Sequence, residues 1–150
     1  MRSVFISLAL PIVLAFGAAA AAAEDAGQIK VSNGAVQIER SGQRLPAQVG
    51  QVVQQSDVVI TGPDGSVGIT FRDNSLLSVG PDSVLSIDRF VFNSTTHQGA
   101  FDSSLKQGTL AVVSGKLAKQ SPESMKVKTP AAILGVRGTE FLVRTGASKD

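Results

Sequence analysis

The chain has 150 residues, 14 Lys and Arg against 12 Asp and Glu, a formal net charge of +2, and no cysteine, tryptophan or tyrosine. Its basic residues are dispersed, with no Trp or Tyr interleaved for base stacking, so nucleic acid is not an expected partner despite a basic isoelectric point. With no thiol and one histidine, the composition lacks most of the groups that nucleophilic catalysis or a transition-metal site needs.

Residues 1 to 23 read as a secretory signal peptide: Met1-Arg2, an apolar run from Val4 to Gly17, and an alanine tract ending Ala21-Ala22-Ala23 before Glu24-Asp25. The run could just reach across a membrane as an anchor, but small residues followed at once by an acidic pair favour cleavage. No cysteine follows, which excludes a lipid-anchored lipoprotein. Cleavage leaves residues 24 to 150 as one domain with 13 basic and 12 acidic side chains and no stable membrane anchor. Its expected location is the periplasm or the exterior of a bacterial cell, since an exported protein without disulfides fits that setting best. A domain of this size buries about two thirds of its surface and needs no staple to fold.

From Gln28 onward, short alternating apolar and polar runs are broken by Gly, Pro, Asn or Asp, which is the pattern of half-buried strands and turns. Expected strands are Gln28 to Val31, Ala35 to Glu39, Val58 to Thr61, Ser66 to Phe71, Ser75 to Val79, Val84 to Phe92, Thr109 to Val113, Met125 to Thr129 and the apolar stretch Thr129 to Val143. No window of ten residues keeps helical spacing without a Gly or Pro. Asp64, Asp73 and Asp82 fall nine apart, each opening a turn, and Gly62 to Ile69 is echoed by Gly80 to Ile87. Equal strand-and-turn units predict an all-β fold built as a short β-solenoid or roll, a stack of two-sheet rungs, with a β-sandwich as the alternative.

The regular aspartates invite a calcium reading, but the paired glycines of a calcium-binding roll are missing, and Asp or Asn capping its own turn explains the spacing more simply. His97 lies in the polar loop Asn93-Ser94-Thr95-Thr96-His97-Gln98-Gly99 with no Asp, Glu or Cys at ligand spacing. Asn93-Ser94-Thr95 matches a glycosylation pattern that has meaning only in a eukaryotic host. A glycosidase with paired carboxylates would lack Trp or Tyr on which to stack a sugar. Gly135-Val136-Arg137-Gly138-Thr139 is not a phosphate loop, because the Gly-Lys-Ser/Thr ending and the following helix are absent. No enzyme activity, cofactor or metal is expected.

The segment Thr129-Pro130-Ala131-Ala132, then Gly135-Val136-Arg137-Gly138-Thr139-Glu140-Phe141-Leu142-Val143, resembles the closing signature of the FecR domain. That is the periplasmic domain of bacterial iron-uptake signal regulators. Gly50-Gln51-Val52-Val53, Asp57 to Gly62 and Gly65 to Ser83 agree in order, so the resemblance spans about residues 28 to 144. It implies a β-rich envelope domain that works by contact with other proteins and, in the regulators, relays the state of an outer-membrane transporter to a sigma factor. Here only the leader precedes the domain, so sigma-factor control and a role in iron uptake are not expected to carry over. The signature residues are Thr129, Pro130, Gly135, Val136, Arg137, Gly138, Thr139 and Phe141, with a structural or partner-contacting role.

Parity sharpens the structural side of that pair. Ala132, Leu134 and Val136 alternate onto one face, and Phe141 and Val143 share a face, yet Val136 and Phe141 are five apart and a straight strand would put them on opposite sides. A corner between them, at Gly138, would return both to one core. Arg137 would then sit at the joint, tied to a carboxylate such as Glu140 or Asp88, and Thr129-Pro130 would stand at a strand's start or edge. The function expected is a non-enzymatic interaction or sensing module that binds an envelope protein, with possible service in signal transduction; the alternative is an envelope structural protein that binds glycan or polymer. The sequence leaves the oligomeric state open, although an unpaired end strand would invite pairing.

Overall fold

The computed structural model describes residues 25–136 and 138–146. The signal-peptide expectation for residues 1 to 23, and every expectation about Arg137, fall outside them. About 60% of the structure is strand, in a single curled and mainly antiparallel sheet. The strands are β1 (Asp25–Asn33), β2 (Val36–Arg40), β3 (Gln43–Pro46), β4 (Val52–Gln54), β5 (Val58–Thr61) and β6 (Ser66–Phe71), then β7 (Leu76–Val79), β8 (Val84–Phe92), β9 (Gly99–Val113), β10 (Met125–Lys128), β11 (Ile133–Gly135) and β12 (Glu140–Thr145). A five-residue helix, α1 (Lys116–Gln120), and a short 3-10 turn join β9 to β10.

The sheet has two layers. One runs β4-β1-β6-β7-β9-β12 and the other β3-β2-β5-β8-β9-β10-β11. Strand β9 belongs to both: Gly99 to Gln107 pairs with β8, and Leu110 to Val113 pairs with β7. Between these halves Gly108 takes φ +100, a backbone that L side chains rarely adopt. Inward residues on β9 are Phe101, Ser103 and Leu105, then Leu110 and Val112. From Leu105 to Leu110 is five residues; the register shift opposite Val84 and Leu85, which leaves Lys106 without a partner on β8, changes the parity, and Gly108 turns the chain just beyond it, so both halves face one core. A bulge at Asp88 does the same for β8, where Leu85 and Ile87 are followed inward by Phe90.

The core lies between the layers. Phe71 of the first layer meets Phe101 and Phe90 of the second at ring-centroid distances of 4.5 and 5.6 Å, and Phe90 meets Phe101 edge-on at 5.1 Å. Such pairs add about 0.5–1.5 kcal/mol each beyond the area they bury. Ile29, Ile69, Leu77, Leu85, Ile87 and Leu110 fill the space around them.

Stacked solenoid rungs would set successive strands parallel and in register, whereas among the described residues β9 with β10 is the one parallel pair and the other neighbours run antiparallel. The nine-residue aspartate spacing does not mark equal rungs, because its three turns do different work. The Asp64 turn carries the chain from β5 in one layer to β6 in the other, the Asp73 turn closes the β6–β7 hairpin, and the Asp82 turn crosses back to β8. Asp73 is wholly buried; its carboxylate accepts from the Ser75 amide at 3.1 Å, the Ser75 hydroxyl at 2.6 Å and the Leu117 amide at 3.4 Å, so it caps its turn and ties α1 to it. Asp64 instead accepts from the amide of Ala35, 3.3 Å away.

A second buried acid sits where β2 approaches β4. Asp57, 1% exposed, takes a two-point contact from Arg40 at 2.9 and 2.8 Å and the Gln54 amide at 2.8 Å, while Arg40 also donates to the Val52 carbonyl. The hydrogen bond to Asp57 raises the pKa of Arg40 further above neutrality. A raised pKa in the folded state contributes stability that is lost only as pH climbs through it, so Arg40 does not give up its charge in this pair short of strong alkali.

Candidate functional site

The signature segment forms a hairpin, a ledge and a corner. Thr129-Pro130-Ala131-Ala132 is the turn between β10 and β11: the Thr129 amide donates to the Ala132 carbonyl at 2.8 Å, and the Ala132 amide donates to the Thr129 hydroxyl at 3.1 Å. Pro130 stands just inside that turn, where its fixed φ suits the bend and its missing N–H costs no ladder bond. Strand β11 then pairs with β10 alone among the described residues.

That placement corrects one sequence expectation. Ala132 and Leu134 do not join Val136 on an inward face; Ala132 is exposed, Leu134 is 36% exposed and Ile133 is 66% exposed, and only Val136 is buried. The alternation is present, but a three-residue edge strand at the end of its layer is left open on both faces. Gly135 is equally open, since a Cβ there would have nothing within 4 Å. A shallow recess lined by Pro122, Glu123, Gly135 and Val136 runs beneath the ledge.

The corner follows. Gly138 has φ +89, and the strands on either side of it belong to different layers: β11 to one and β12, paired with β9, to the other. Val136 and Val143 are buried and Phe141 packs partly buried against the core, so both sides of the joint reach it. Ser114, at the end of β9, holds the corner: its hydroxyl donates to the Gly138 carbonyl at 3.0 Å and its amide to the Thr139 carbonyl at 2.8 Å. Of the carboxylates named as partners for Arg137, Asp88 already accepts from the hydroxyls of Ser86 and Ser104, and Glu140 lies exposed on β12.

The other candidates stay dispersed. His97, with φ +59, stacks on Phe92 at 6.0 Å in a turn where Asn93 accepts from the amides of Thr95 and Thr96. Among the described residues no three His, Asp or Glu side chains are grouped to hold a metal ion, and no helix is long and apolar enough to cross a membrane. Sequence reasoning missed the open ledge, for which the signal was available: two large apolar residues, Ile133 and Leu134, on a run too short to be covered on both faces.

Comparison with curated proteins and with solved structures finds no match in either. The model of the FecR protein family matches residues 57–149, from the buried Asp57 through the β10–β11 hairpin, the Gly138 corner and β12. Strands β1 to β4 precede the match yet are woven into both layers, β1 against β6 and β2 against β5. The chain belongs to the FecR family.

Proposed function

We propose that this is a non-enzymatic interaction module of the bacterial envelope, exported by its N-terminal leader, which binds a protein partner through the β11 ledge and serves in signal transduction as FecR domains do. The observation that carries the reading is the exposure of Ile133 and Leu134 within the signature segment. Large apolar side chains on an uncovered edge strand are costly to leave in water and are a common anchor for protein contact. Gly135 beside them leaves the backbone bare, so that a partner can come close to it.

Photo-crosslinking in intact cells tests it. A crosslinker at Ile133 should capture a discrete envelope protein, whereas one at the equally open Val49, which lies before the family match, should not. No capture from Ile133, or the same capture from both positions, would remove the ledge from the interface. Retention on peptidoglycan or exopolysaccharide without any captured protein would replace this reading with that of a polymer-binding structural protein.

A further inference from the structure

Four strands end the sheet among the described residues, and three of them are poor templates for another chain. Strands β4 and β11 have three residues each, and β3 ends in Pro46. Short strands and proline are the ordinary means by which an edge is kept from pairing. Strand β12 differs: it has six residues, no proline or glycine, and pairs with β9 on one side only. Its outward row is Glu140, Leu142 and Arg144, all exposed, with Leu142 at 64%; its inward row includes Phe141 and Val143.

The order of these residues is self-complementary. When two copies of Glu140-Phe141-Leu142-Val143-Arg144 run antiparallel about a two-fold axis through Leu142, each Glu140 faces the other copy's Arg144. Leu142 then faces Leu142, and Phe141 faces Val143. Opposite charges, apolar pairs and aromatic with β-branched pairs are the directly opposed combinations that stabilise antiparallel strands. The parallel arrangement would set Glu140 against Glu140 and Arg144 against Arg144. We infer that this chain forms a homodimer by antiparallel pairing of β12 with β12, continuing the layer β4-β1-β6-β7-β9-β12 across a two-fold axis.

The dimer is a closed, isologous contact, so it stops at two copies. It covers the exposed Leu142 and gives Phe141, now only partly buried, a neighbour from the second copy. It uses an edge other than the β11 ledge, so it stands or falls independently of the partner reading above.

The test is charge complementation, read by sedimentation equilibrium on the full chain. Glu140→Arg alone puts two cations opposite each other at both ends of the paired strands, and Arg144→Glu alone does the same with anions. Each should weaken the dimer by about tenfold or more. Mixing the two variants in equal amounts should restore it as a heterodimer with attractive pairs at both ends, and the double variant Glu140→Arg, Arg144→Glu should dimerise as the parent does. All these side chains are exposed, and circular dichroism checks whether each variant is folded; if a single variant is not, the double variant and Leu142→Lys carry the same test. A parent chain that is monomeric at about 100 µM, far above the dissociation constants of specific dimers, would overturn the inference. Single variants that dimerise as well as the parent would also overturn it, as would a mixture that stays monomeric.

Discussion

The molecule turns the same kind of corner twice, and the two corners are held differently. At Gly108 and at Gly138 the inward residues on either side are five apart, the glycine has a positive φ, and the chain passes from one layer to the other. At Gly108 the space is closed: a Cβ would come within 2.5 Å of the Ser83 Cα, and the Ser83 hydroxyl accepts from the Thr109 amide at 3.0 Å. At Gly138 it is open, with nothing among the described residues within 4 Å of such a Cβ, and Ser114 holds the backbone from one side. The inner corner is therefore fixed by packing as well as by backbone, and the outer one by backbone conformation and the hydrogen bonds from Ser114. Both stand beside a change of parity, but only the inner corner is locked into the interior.

Substitutions should expose the contrast in order of size. Gly108→Ala meets both a disfavoured φ and an occupied site, and should cost about 4 kcal/mol of unfolding free energy in urea, the sum of backbone strain and overpacking. A loss below about 1 kcal/mol would mean that the inner corner relaxes freely. Gly138→Ala meets only the disfavoured φ and should cost about 1 kcal/mol. At the bottom of the series Gly135→Ala, in open space with no positive φ, should change stability by less than about 0.5 kcal/mol, as surface substitutions do. If the ledge is the interface, the same variant should nevertheless lose its crosslinked partner. Unchanged capture would show that bare backbone at 135 is not what the partner reads.

The sequence disclosed the strands whose alternation is unbroken. Val58 to Thr61, Ser66 to Phe71 and Val84 to Phe92 have the expected bounds because each turns every second residue inward, Val, Ile, Leu or Phe at all these places but Thr61, with one bulge in the last. The first half of β9 was hidden because Ser103 occupies an inward position between Phe101 and Leu105 and looks from sequence like a break. Strands β3 and β4 were missed because four and three residues carry too little pattern; they are ordered by partners elsewhere in the chain, β2 and β1. Pairing order is likewise non-local. Equal spacing of Asp64, Asp73 and Asp82 predicts turns, and all three are turns, but nothing nearby in sequence says which of them crosses between layers.

For the signature, parity across Gly138 was legible, since Val136, Phe141 and Val143 have their own spacing to testify. The exposure of Leu134 was not, because a pattern shows which residues share a face and not whether anything covers that face. The charge order of β12 was on view throughout, yet it gains meaning only once β12 is known to be the long uncovered edge.

Asparagine substitutions at the two corners test the contrast most directly, because Asn tolerates a left-handed backbone better than Ala but still carries a Cβ. In urea unfolding, Gly138→Asn should recover most of the stability lost in Gly138→Ala, while Gly108→Asn should remain as destabilised as Gly108→Ala, leaving about 3 kcal/mol or more between the two asparagine variants. Equal losses at 108 and 138 would contradict a packed inner corner and an open outer one.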